Sequence, residues 1–228
     1  MRFSEPIGQL IGIALVGVAA CSAPDGGQRM SDRLLAGALD RCELTVVSEL
    51  ADSSTLILRY TVRNKGNEAV YLFNRLYHSF DPERGEFITD PNLVNVELRS
   101  DGVVLSKKIV PVPPHMDVEK PVIPLVTRVD AGERFEEWIT VRLPVRVWTP
   151  YGPDDDVPSA SSVRRPAWFE LGFFSAPAAY VERIAKVVAT VDGTGLYVYP
   201  FTTSSQRMLR VGPLPQVIPA VSPARGAP

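Results

Sequence analysis

The sequence predicts a mainly β fold in which antiparallel strands form a sandwich, accompanied by one or two short helices. Three observations lead to this prediction. Apolar and polar residues alternate with a period of two in several segments, most clearly from Leu56 to Val62. An Asp101-Gly102 pair stands between two such segments, which is a strong short-range signal for a hairpin. The 21 prolines disfavour a helical bundle and favour strands joined by irregular loops.

The first part of the domain is expected to contain one short helix and three strands. Residues 31–39 are predicted to be helical, because Ser31 suits an N-cap and the leucines that follow share one helical face. Strands are predicted at 43–50, 56–62 and 69–73, with a turn at Asn64-Lys65-Gly66-Asn67 between the last two.

The strand–turn–strand unit LILRYTVRNKGNEAVYLF, residues 56–73, resembles the opening hairpin of many bacterial immunoglobulin-like domains. The resemblance implies an antiparallel immunoglobulin-like β-sandwich for residues 31–211. The Cys…Trp…Cys pattern of antibody domains is absent, so the resemblance concerns architecture. A small barrel is the main alternative.

The middle of the chain alternates predicted strands with loops. Residues 78–92 are expected to form a polar loop, and strands are predicted at 94–98 and 103–110. Residues 111–124 contain five prolines and are not expected to form a central strand. A turn at Asp130-Ala131-Gly132-Glu133 leads into a strand at 135–143.

The last part of the domain is predicted to hold the central strand. Residues 144–166 are expected to form a long loop, and the near-continuous apolar run 168–174 a strand in the middle of a sheet. Residues 178–188 fit a short helix passing into a strand. The final strands are predicted at 196–201 and 207–211, which makes eight or nine in all. Residues 212–228 are expected to be a Pro-rich disordered tail.

The N-terminal segment has the character of an export signal. The apolar run from Ile7 to Ala20 is shorter than the roughly 20 residues that cross a bilayer, but it has the length of a signal-peptide core. The run ends in Val18-Ala19-Ala20-Cys21, which resembles the lipobox of bacterial lipoproteins. The resemblance implies that residues 1–20 are removed, and that Cys21 carries diacylglyceryl on sulfur and a further acyl chain, such as palmitate, on its amine.

Two consequences follow from this resemblance. Ser22, where inner-membrane lipoproteins carry Asp, resembles the class sorted to the outer membrane, which implies a lipid-anchored protein facing the periplasm. Residues 21–30 would then be a flexible tether, and two or more acyl chains suffice for stable membrane anchoring. The alternative is an unlipidated signal that is cut after Ala20.

Lipid attachment at Cys21 also decides whether the two cysteines of the chain can form a disulfide. If Cys21 carries lipid through its sulfur, it cannot form a disulfide with Cys42, the other cysteine of the chain. Cys42 is therefore predicted to be a buried structural thiol, as free cysteines often are.

Charge and motifs exclude several classes of function. The net charge of −2 gives no nucleic-acid signature, and the adjacent Lys107 and Lys108 are expected on a solvated strand surface. Nucleophile, zinc-protease, phosphate-loop and C-x-x-C motifs are absent from the sequence. His78 and His115 are expected to be ordinary surface histidines. We therefore expect no catalytic residue, no cofactor and no metal site.

Loop carboxylates and tryptophans remain as candidate contact residues. The groups Asp154–Asp156 and Asp81, Glu83 and Glu86 are expected to be solvated, although paired carboxylates could serve a glycosidase. Packing in the core or against a loop is the default role for Trp138, Trp148 and Trp168. The alternative is an exposed ring that binds sugars or peptides: Trp138 is out of phase with its apolar neighbours, which would place it on the opposite face, and Trp148 lies beside a loop.

The sequence thus favours a non-catalytic envelope lipoprotein whose domain binds a protein partner or supports assembly. Exposed sheet edges suit that role, because they leave unpaired N–H and C=O groups. Two alternatives stay open. One is an envelope hydrolase or carbohydrate-binding unit that uses loop carboxylates such as Asp155 or Glu86. The other is an envelope protease inhibitor that uses the Pro-rich loops.

Overall fold

A computed structural model describes residues 35–39, 41–152 and 161–221, and these residues form fifteen strands and one helix. The first eight strands are β1 (Leu35–Leu39), β2 (Cys42–Asp52), β3 (Thr55–Asn64), β4 (Ala69–Arg75), β5 (Tyr77–Asp81), β6 (Glu86–Thr89), β7 (Asn95–Arg99) and β8 (Gly102–Lys107). The remaining elements are β9 (Leu125–Val129), β10 (Arg134–Arg142), β11 (Ser162–Ala176), α1 (Ala178–Ile184), β12 (Ala185–Thr190), β13 (Gly193–Val198), β14 (Arg207–Val211) and β15 (Val217–Val221).

The strands form two sheets in a sandwich. The smaller sheet has the order β1-β2-β3-β10, and the larger has the order β5-β6-β12-β13-β9-β4-β11-β8-β7, with β14 and β15 also paired to β11. All pairs are antiparallel except β8 with β11 and β6 with β12. This arrangement, with its single short helix, confirms the predicted fold class.

The main core lies where the two sheets face each other. On β3 the residues Leu56, Leu58, Tyr60 and Val62 are fully buried, whereas the residues between them are partly exposed. The predicted period of two is therefore confirmed: one face of β3 packs inward and the other meets solvent. The larger sheet contributes alternate residues of β11 to the same core, among them Phe169.

A second, smaller core covers the opposite face of the larger sheet. Tyr71, Phe73 and Phe174 pack there against Val181 of α1 and against Ile123. Because β4 and β11 are covered on both faces, their sequences are apolar almost without alternation. The predicted central strand at 168–174 is confirmed, as is the predicted short helix passing into a strand within 178–188, where α1 ends at Ile184 and β12 begins at Ala185.

The predicted turns are also found. Strands β7 and β8 form the Asp101-Gly102 hairpin, with Arg99 opposite Gly102. Gly102 has a φ of 146°, and a Cβ on it would lie 2.2 Å from the Pro166 carbonyl oxygen, so only glycine fits there. Gly132, with a φ of 80°, turns the chain between β9 and β10. No strand is described between Lys107 and Leu125, as expected for the Pro-rich segment.

The helix predicted at 31–39 is wrong over the residues that the structure describes. Residues 35–39 are strand β1, which pairs along its whole length with β2, from Leu35 opposite Val46 to Leu39 opposite Cys42. Sheet pairing with a neighbouring strand outweighs the weak helical preference of a short Leu- and Ala-rich segment. Residues 31–34 and 40 lie outside the described residues.

The predicted hairpin of β3 and β4 is wrong as well, although both strands exist. β3 pairs with β2 and β10, whereas β4 pairs with β9 and β11 of the other sheet. The Asn64–Asn67 turn therefore carries the chain from one sheet to the other. The buried Asn64 side chain holds this crossing by donating hydrogen bonds to the carbonyl oxygens of Glu68 and Val129, at 2.7 and 3.0 Å.

Two segments expected to be irregular are strands. The expected polar loop at 78–92 contains the hairpin of β5 and β6, stabilised by contacts of Phe87 with the rings of Tyr77 and Phe80. The expected tail contains β15, whose Ile218 and Ala220 are fully buried and which pairs with the first part of β11. Consequently β11 begins at Ser162, inside the expected loop 144–166. Residues 153–160 and 222–228 lie outside the described residues.

Candidate binding site at the edge of the smaller sheet

Lys107 and Lys108 are buried, so the expectation of a solvated lysine pair is wrong. They are neighbours at the end of β8, and successive side chains of a strand point to opposite faces. The side chain of Lys107 has no exposed surface and points into the sandwich, whereas that of Lys108 is 8% exposed and lies on the other face. Each ammonium group can be buried because a carboxylate lies beside it.

Lys107 belongs to a buried polar cluster with Glu137 and Tyr60. Its Nζ donates hydrogen bonds to Glu137 Oε2 at 2.8 Å and to the Pro91 carbonyl oxygen at 2.7 Å. The Tyr60 hydroxyl donates to the same Oε2 at 2.5 Å. Burial lowers the pKa of Lys107 and raises that of Tyr60, for which the charge of Glu137 adds to the effect. Glu137 thus joins two strands of one sheet to a lysine of the other.

Asn74 of β4 completes this cluster and leaves one acceptor unused. Only 1% of the residue is exposed, and a hydrogen bond from its side chain to Tyr60 partly offsets the rise in the tyrosine pKa. Among the described atoms, Asn74 Oδ1 has no hydrogen-bond partner. A buried acceptor without a donor costs about 1–3 kcal/mol, which makes this oxygen a place where a donor would be stabilised.

A cleft of about 200 Å³ opens beside the cluster, where the smaller sheet ends at β10 and the larger sheet continues past β9. Both sheets and two connecting segments line it, through Asn74, Arg75, Leu76, Thr89, Asp90, Pro91, Thr127, Phe135, Glu137 and Asp192. The sequence reasoning missed this site, because its residues are spread over more than a hundred positions and carry no local motif.

The cationic groups of the cleft are directed at its walls. Arg75 donates to the Thr194 carbonyl oxygen at 2.5 Å and to Asp192 Oδ1 at 2.7 Å. The hydroxyls of Thr190 and Thr89 donate to the same carboxylate oxygen. The hydrogen bond from Thr190, followed by that from Thr89 and the Arg75 charge, lowers the pKa of Asp192. Asp192 is therefore an anion at neutral pH.

The charges in and behind the cleft leave an excess of carboxylate. Asp90, Glu137 and Asp192 line the cleft, whereas Arg75 and the buried Lys107 are the cations in contact with them. Asp90 keeps 41% of its side chain exposed, and one of its oxygens lies 3.7 Å from His78 Nε2. The cleft is thus richer in acceptors and negative charge than in available donors.

The cleft adjoins the free edge of β10. The Thr140 N–H points away from β3 and donates to Asn92 Oδ1 at 2.8 Å. Because backbone groups of an antiparallel strand alternate in direction, those of Glu136 and Trp138 also point away from β3. Among the described residues, no strand pairs with this edge. Residues 134–138 therefore offer unpaired backbone donors and acceptors.

The three tryptophans behave differently. Trp138 is 55% exposed, and the Arg59 guanidinium lies 5.2 Å from its ring centre, so it does project from the face opposite the core. Trp168 packs beneath Arg210 at 4.3 Å, and Trp148 meets the His78 ring edge-on at 5.9 Å. The default packing role is thus confirmed for Trp148 and Trp168 and is wrong for Trp138, which is exposed beside the free edge.

A second charged cluster on the outer face of the larger sheet has a structural role. Arg99 donates two hydrogen bonds to the Glu170 carboxylate, at 2.7 and 3.1 Å, and Lys108 donates a third at 2.9 Å. Burial raises the pKa of Glu170, but the hydrogen bonds from Arg99 and Lys108 outweigh burial and lower it overall. Beside this cluster Arg210 forms a salt bridge with Asp101, which connects β14 to the β7–β8 hairpin.

The other sequence-predicted residues are dispersed. Cys42 is fully buried and free, and burial, followed by the charge of Glu43, raises the pKa of its thiol to about 12. Asp81 accepts hydrogen bonds from the N–H groups of Glu83 and Arg84 and so closes the β5–β6 turn. Cys21 and Asp154–Asp156, including Asp155, lie outside the described residues.

In the part of the chain that the structure describes, no group of three or more His, Cys, Asp and Glu side chains is placed to hold a metal ion. The helix α1 has seven residues, and no helix among the described residues is long and apolar enough to cross a membrane.

Comparison with known proteins gives no relative from which a function could be transferred. No protein-family model matches the chain, and no curated protein sequence or solved structure does.

Proposed function

We propose that this chain is a lipid-anchored lipoprotein of the bacterial cell envelope and that its domain is a non-catalytic module that binds an envelope protein. The apolar run ending in Val18-Ala19-Ala20-Cys21 supports the anchor, and Ser22 supports an outer-membrane position facing the periplasm. The partner is a protein rather than a nucleic acid, since the net charge of −2 gives no basic surface for phosphate.

The free edge of β10 is the observation that carries the binding proposal. An extended segment of a partner can add to such an edge as a further strand, using the backbone groups of Glu136 and Trp138. The other edge of the smaller sheet is less open, because β14 lies against β1: a Cβ on Gly37 would lie 2.7 Å from the Arg210 carbonyl oxygen. Trp138 adds an exposed aromatic contact beside the β10 edge.

The anchor is tested by Cys21→Ala. The substituted protein is expected to leave the membrane fraction and to lose normal processing, because the acylated sulfur is gone. Membrane fractionation and intact-mass measurement of the mature protein check this. An unmodified Cys21 thiol in the mature protein would contradict the lipoprotein assignment.

Strand addition is tested by photocrosslinking in the bacterial host. A photoreactive phenylalanine in place of Trp138 is expected to form an adduct with an envelope protein, whereas the same residue in place of the exposed Val187 on β12 is not. Glu136→Pro should abolish the adduct without unfolding the domain, because the N–H that it removes is not bonded to β3.

The matched control is Glu136→Ala, which removes the carboxylate and keeps the N–H. It should retain the adduct. If Glu136→Ala abolishes the adduct as fully as Glu136→Pro does, the side chain and not the strand edge makes the contact, and strand addition is wrong.

The cleft also provides the one observation in favour of the hydrolase or carbohydrate-binding alternative, because three carboxylates line it. Glu137 is bonded to Lys107 and Tyr60, and the lowered pKa of Asp192 makes it a poor general acid. Among the described residues, Asp90 is the carboxylate of the three with no lysine or arginine bonded to it: its Oδ1 accepts from the Asn92 N–H at 2.8 Å, and its Oδ2 lies 3.7 Å from His78 Nε2. Turnover in a panel of envelope glycan and ester substrates that is lost in Asp90→Asn would establish the enzyme and overturn the binding module.

A further inference from the structure

We infer that the cleft beside β10 accepts an arginine side chain of the strand that the partner adds to this edge. The inference rests on the proposed binding function and names the chemistry that the partner must carry.

The pleat of the sheet places one side chain of the added strand in the cleft. Phe135 and Glu137 point from β10 into the cleft, and residues directly opposite each other on paired strands point to the same face. A partner residue opposite Glu137 therefore directs its side chain into the cleft, where the smaller sheet ends and the larger sheet continues. Its neighbours along the strand point instead to the outer face, where Trp138 lies.

The polar groups of the cleft favour binding of a positively charged hydrogen-bond donor. Asn74 Oδ1 is buried without a partner among the described atoms, and carboxylates outnumber the cations that line or contact the cleft. The hydrogen bonds of Arg75 and Lys107 go to wall atoms, including the carbonyl oxygens of Thr194 and Pro91. Hydrogen bonds in which the donor is a cation are stronger than those between neutral groups. A cationic donor would therefore be bound more tightly in the cleft than a neutral one.

Shape selects arginine within that class. The cavity of about 200 Å³ is several times the ~30 Å³ share of one water, so it has room for a side chain as long as that of arginine. The planar guanidinium can donate in several directions at once and can stack on an aromatic ring, here that of the half-buried Phe135.

The test uses N-propylguanidinium as the probe and N-propylurea as its neutral counterpart of the same shape. Backbone and side-chain amide signals of the isotope-labelled, unlipidated domain (residues 29–228) are followed by NMR during each titration. N-propylguanidinium should shift the signals of Asn74, Thr127 and Glu137 with saturation, and N-propylurea should bind at least about tenfold more weakly, because it lacks the charge. Equal shifts with the two compounds, or no saturable shift, would overturn the inference.

Asp90→Asn identifies the cleft as the site, since it removes an exposed carboxylate and leaves the Lys107–Glu137 pair intact. It should weaken N-propylguanidinium binding by about fivefold to tenfold. Glu83→Gln, on the exposed β5–β6 turn, is the matched control and should bind as the unaltered domain does. Equal loss in both variants, or no loss in Asp90→Asn, would contradict a site in the cleft.

The guanidinium titration and the crosslinking experiment together distinguish failure of the arginine inference from failure of the proposed function. Crosslinking at Trp138 that depends on the β10 edge, together with absent guanidinium binding, rejects the arginine inference and leaves the binding module. Absence of both rejects the binding module as well. Guanidinium binding without an edge-dependent crosslink would reject strand addition, and with it the arginine of an added strand.

Discussion

At the scale of single residues, the buried pair of Lys107 and Glu137 is the most consequential feature. Removing one member leaves an uncompensated charge inside the sandwich, so we expect Lys107→Met to lower the free energy of unfolding by about 3–5 kcal/mol. The double variant Lys107→Met/Glu137→Leu should lose less than the sum of the two single losses. Urea unfolding of Lys107→Met, Glu137→Leu and the double variant gives the coupling free energy between the two residues. Losses that simply add would contradict an interaction between Lys107 and Glu137.

Cys42 offers a second test at this scale. Because burial and the charge of Glu43 raise the pKa of its thiol from 9.0 to about 12, the folded state holds the proton more tightly than the unfolded chain does. Its contribution to stability is full below pH 9 and is lost as the pH rises toward 12. Cys42→Ser should lower stability at neutral pH and remove this part of the alkaline loss.

The measurement is thermal or urea unfolding as a function of pH, paired with thiol labelling at pH 8. Labelling should proceed only when the domain unfolds, since the thiolate is the reactive form and the thiol is buried. Rapid labelling of folded Cys42 would show that the thiol is accessible and would reopen a reactive role.

The burial of a side chain was predictable from the sequence where it depends on the position of the residue within a single strand. The burial of Cys42 and the outward direction of Trp138 follow from position within one strand. The burial of Lys107 does not, because its carboxylate partner is thirty positions away on a strand of the other sheet. Asn74 and Asp192 were missed for the same reason.

At the scale of elements, β15 is predicted to be essential to the sandwich. A chain ending at Pro215 loses the partner of Ser162–Pro166 on β11 and the fully buried Ile218 and Ala220. We expect its free energy of unfolding to fall by about 2–5 kcal/mol relative to a chain ending at Val221, which keeps the strand. Urea unfolding of the two truncated chains decides this, and equal stability would contradict a structural role for β15.

Elements were predictable where the signal is local. Alternation located β3, β7 and β10, and Asp101-Gly102 located the β7–β8 hairpin. Strands β1, β5 and β15 lack clear alternation, and each becomes a strand through its pairing with a neighbour. That pairing is decided by tertiary contacts, which a window of one sequence does not contain.

At the scale of the whole molecule, acid should destabilise the domain through carboxylates that are held as anions. The pKa of Glu170 and that of Asp192 are lowered by the hydrogen bonds described above, so the folded state binds protons less readily than the unfolded chain. This contribution to stability is present above the ordinary pKa values of 4.5 and 3.8 and is lost as the pH falls below them.

Glu170→Gln tests this statement, with Glu83→Gln as the control. The Glu170 variant should be less stable at pH 7 and should show a smaller loss of stability between pH 5 and pH 3, where the control behaves as the unaltered protein does. If the stability of Glu170→Gln depends on pH as that of the unaltered protein does, the Glu170 carboxylate does not contribute to destabilisation by acid.

The sandwich as a class was predictable from the alternating segments and the turns. The predicted number of strands, eight or nine, was wrong, since the described residues form fifteen, and the division of strands between the two sheets was not predictable. The crossing at Asn64–Asn67 looks like a hairpin turn in the sequence, since the same residue types form both. The strand pairings of β3 and β4 reveal that the chain changes sheets there, and the hydrogen bonds of Asn64 to Glu68 and Val129 hold the crossing. The β10 cleft exists because of that division.

The position of β11 along the chain has a consequence for biosynthesis. This strand joins β4, β8, β14 and β15, and its last residue, Ala176, appears only after about three quarters of the chain has been made. Until then the larger sheet lacks its centre and the main core cannot close. For the export that we propose, this order of synthesis favours a nascent chain that is still unfolded when it reaches a secretion channel that accepts only unfolded polypeptide.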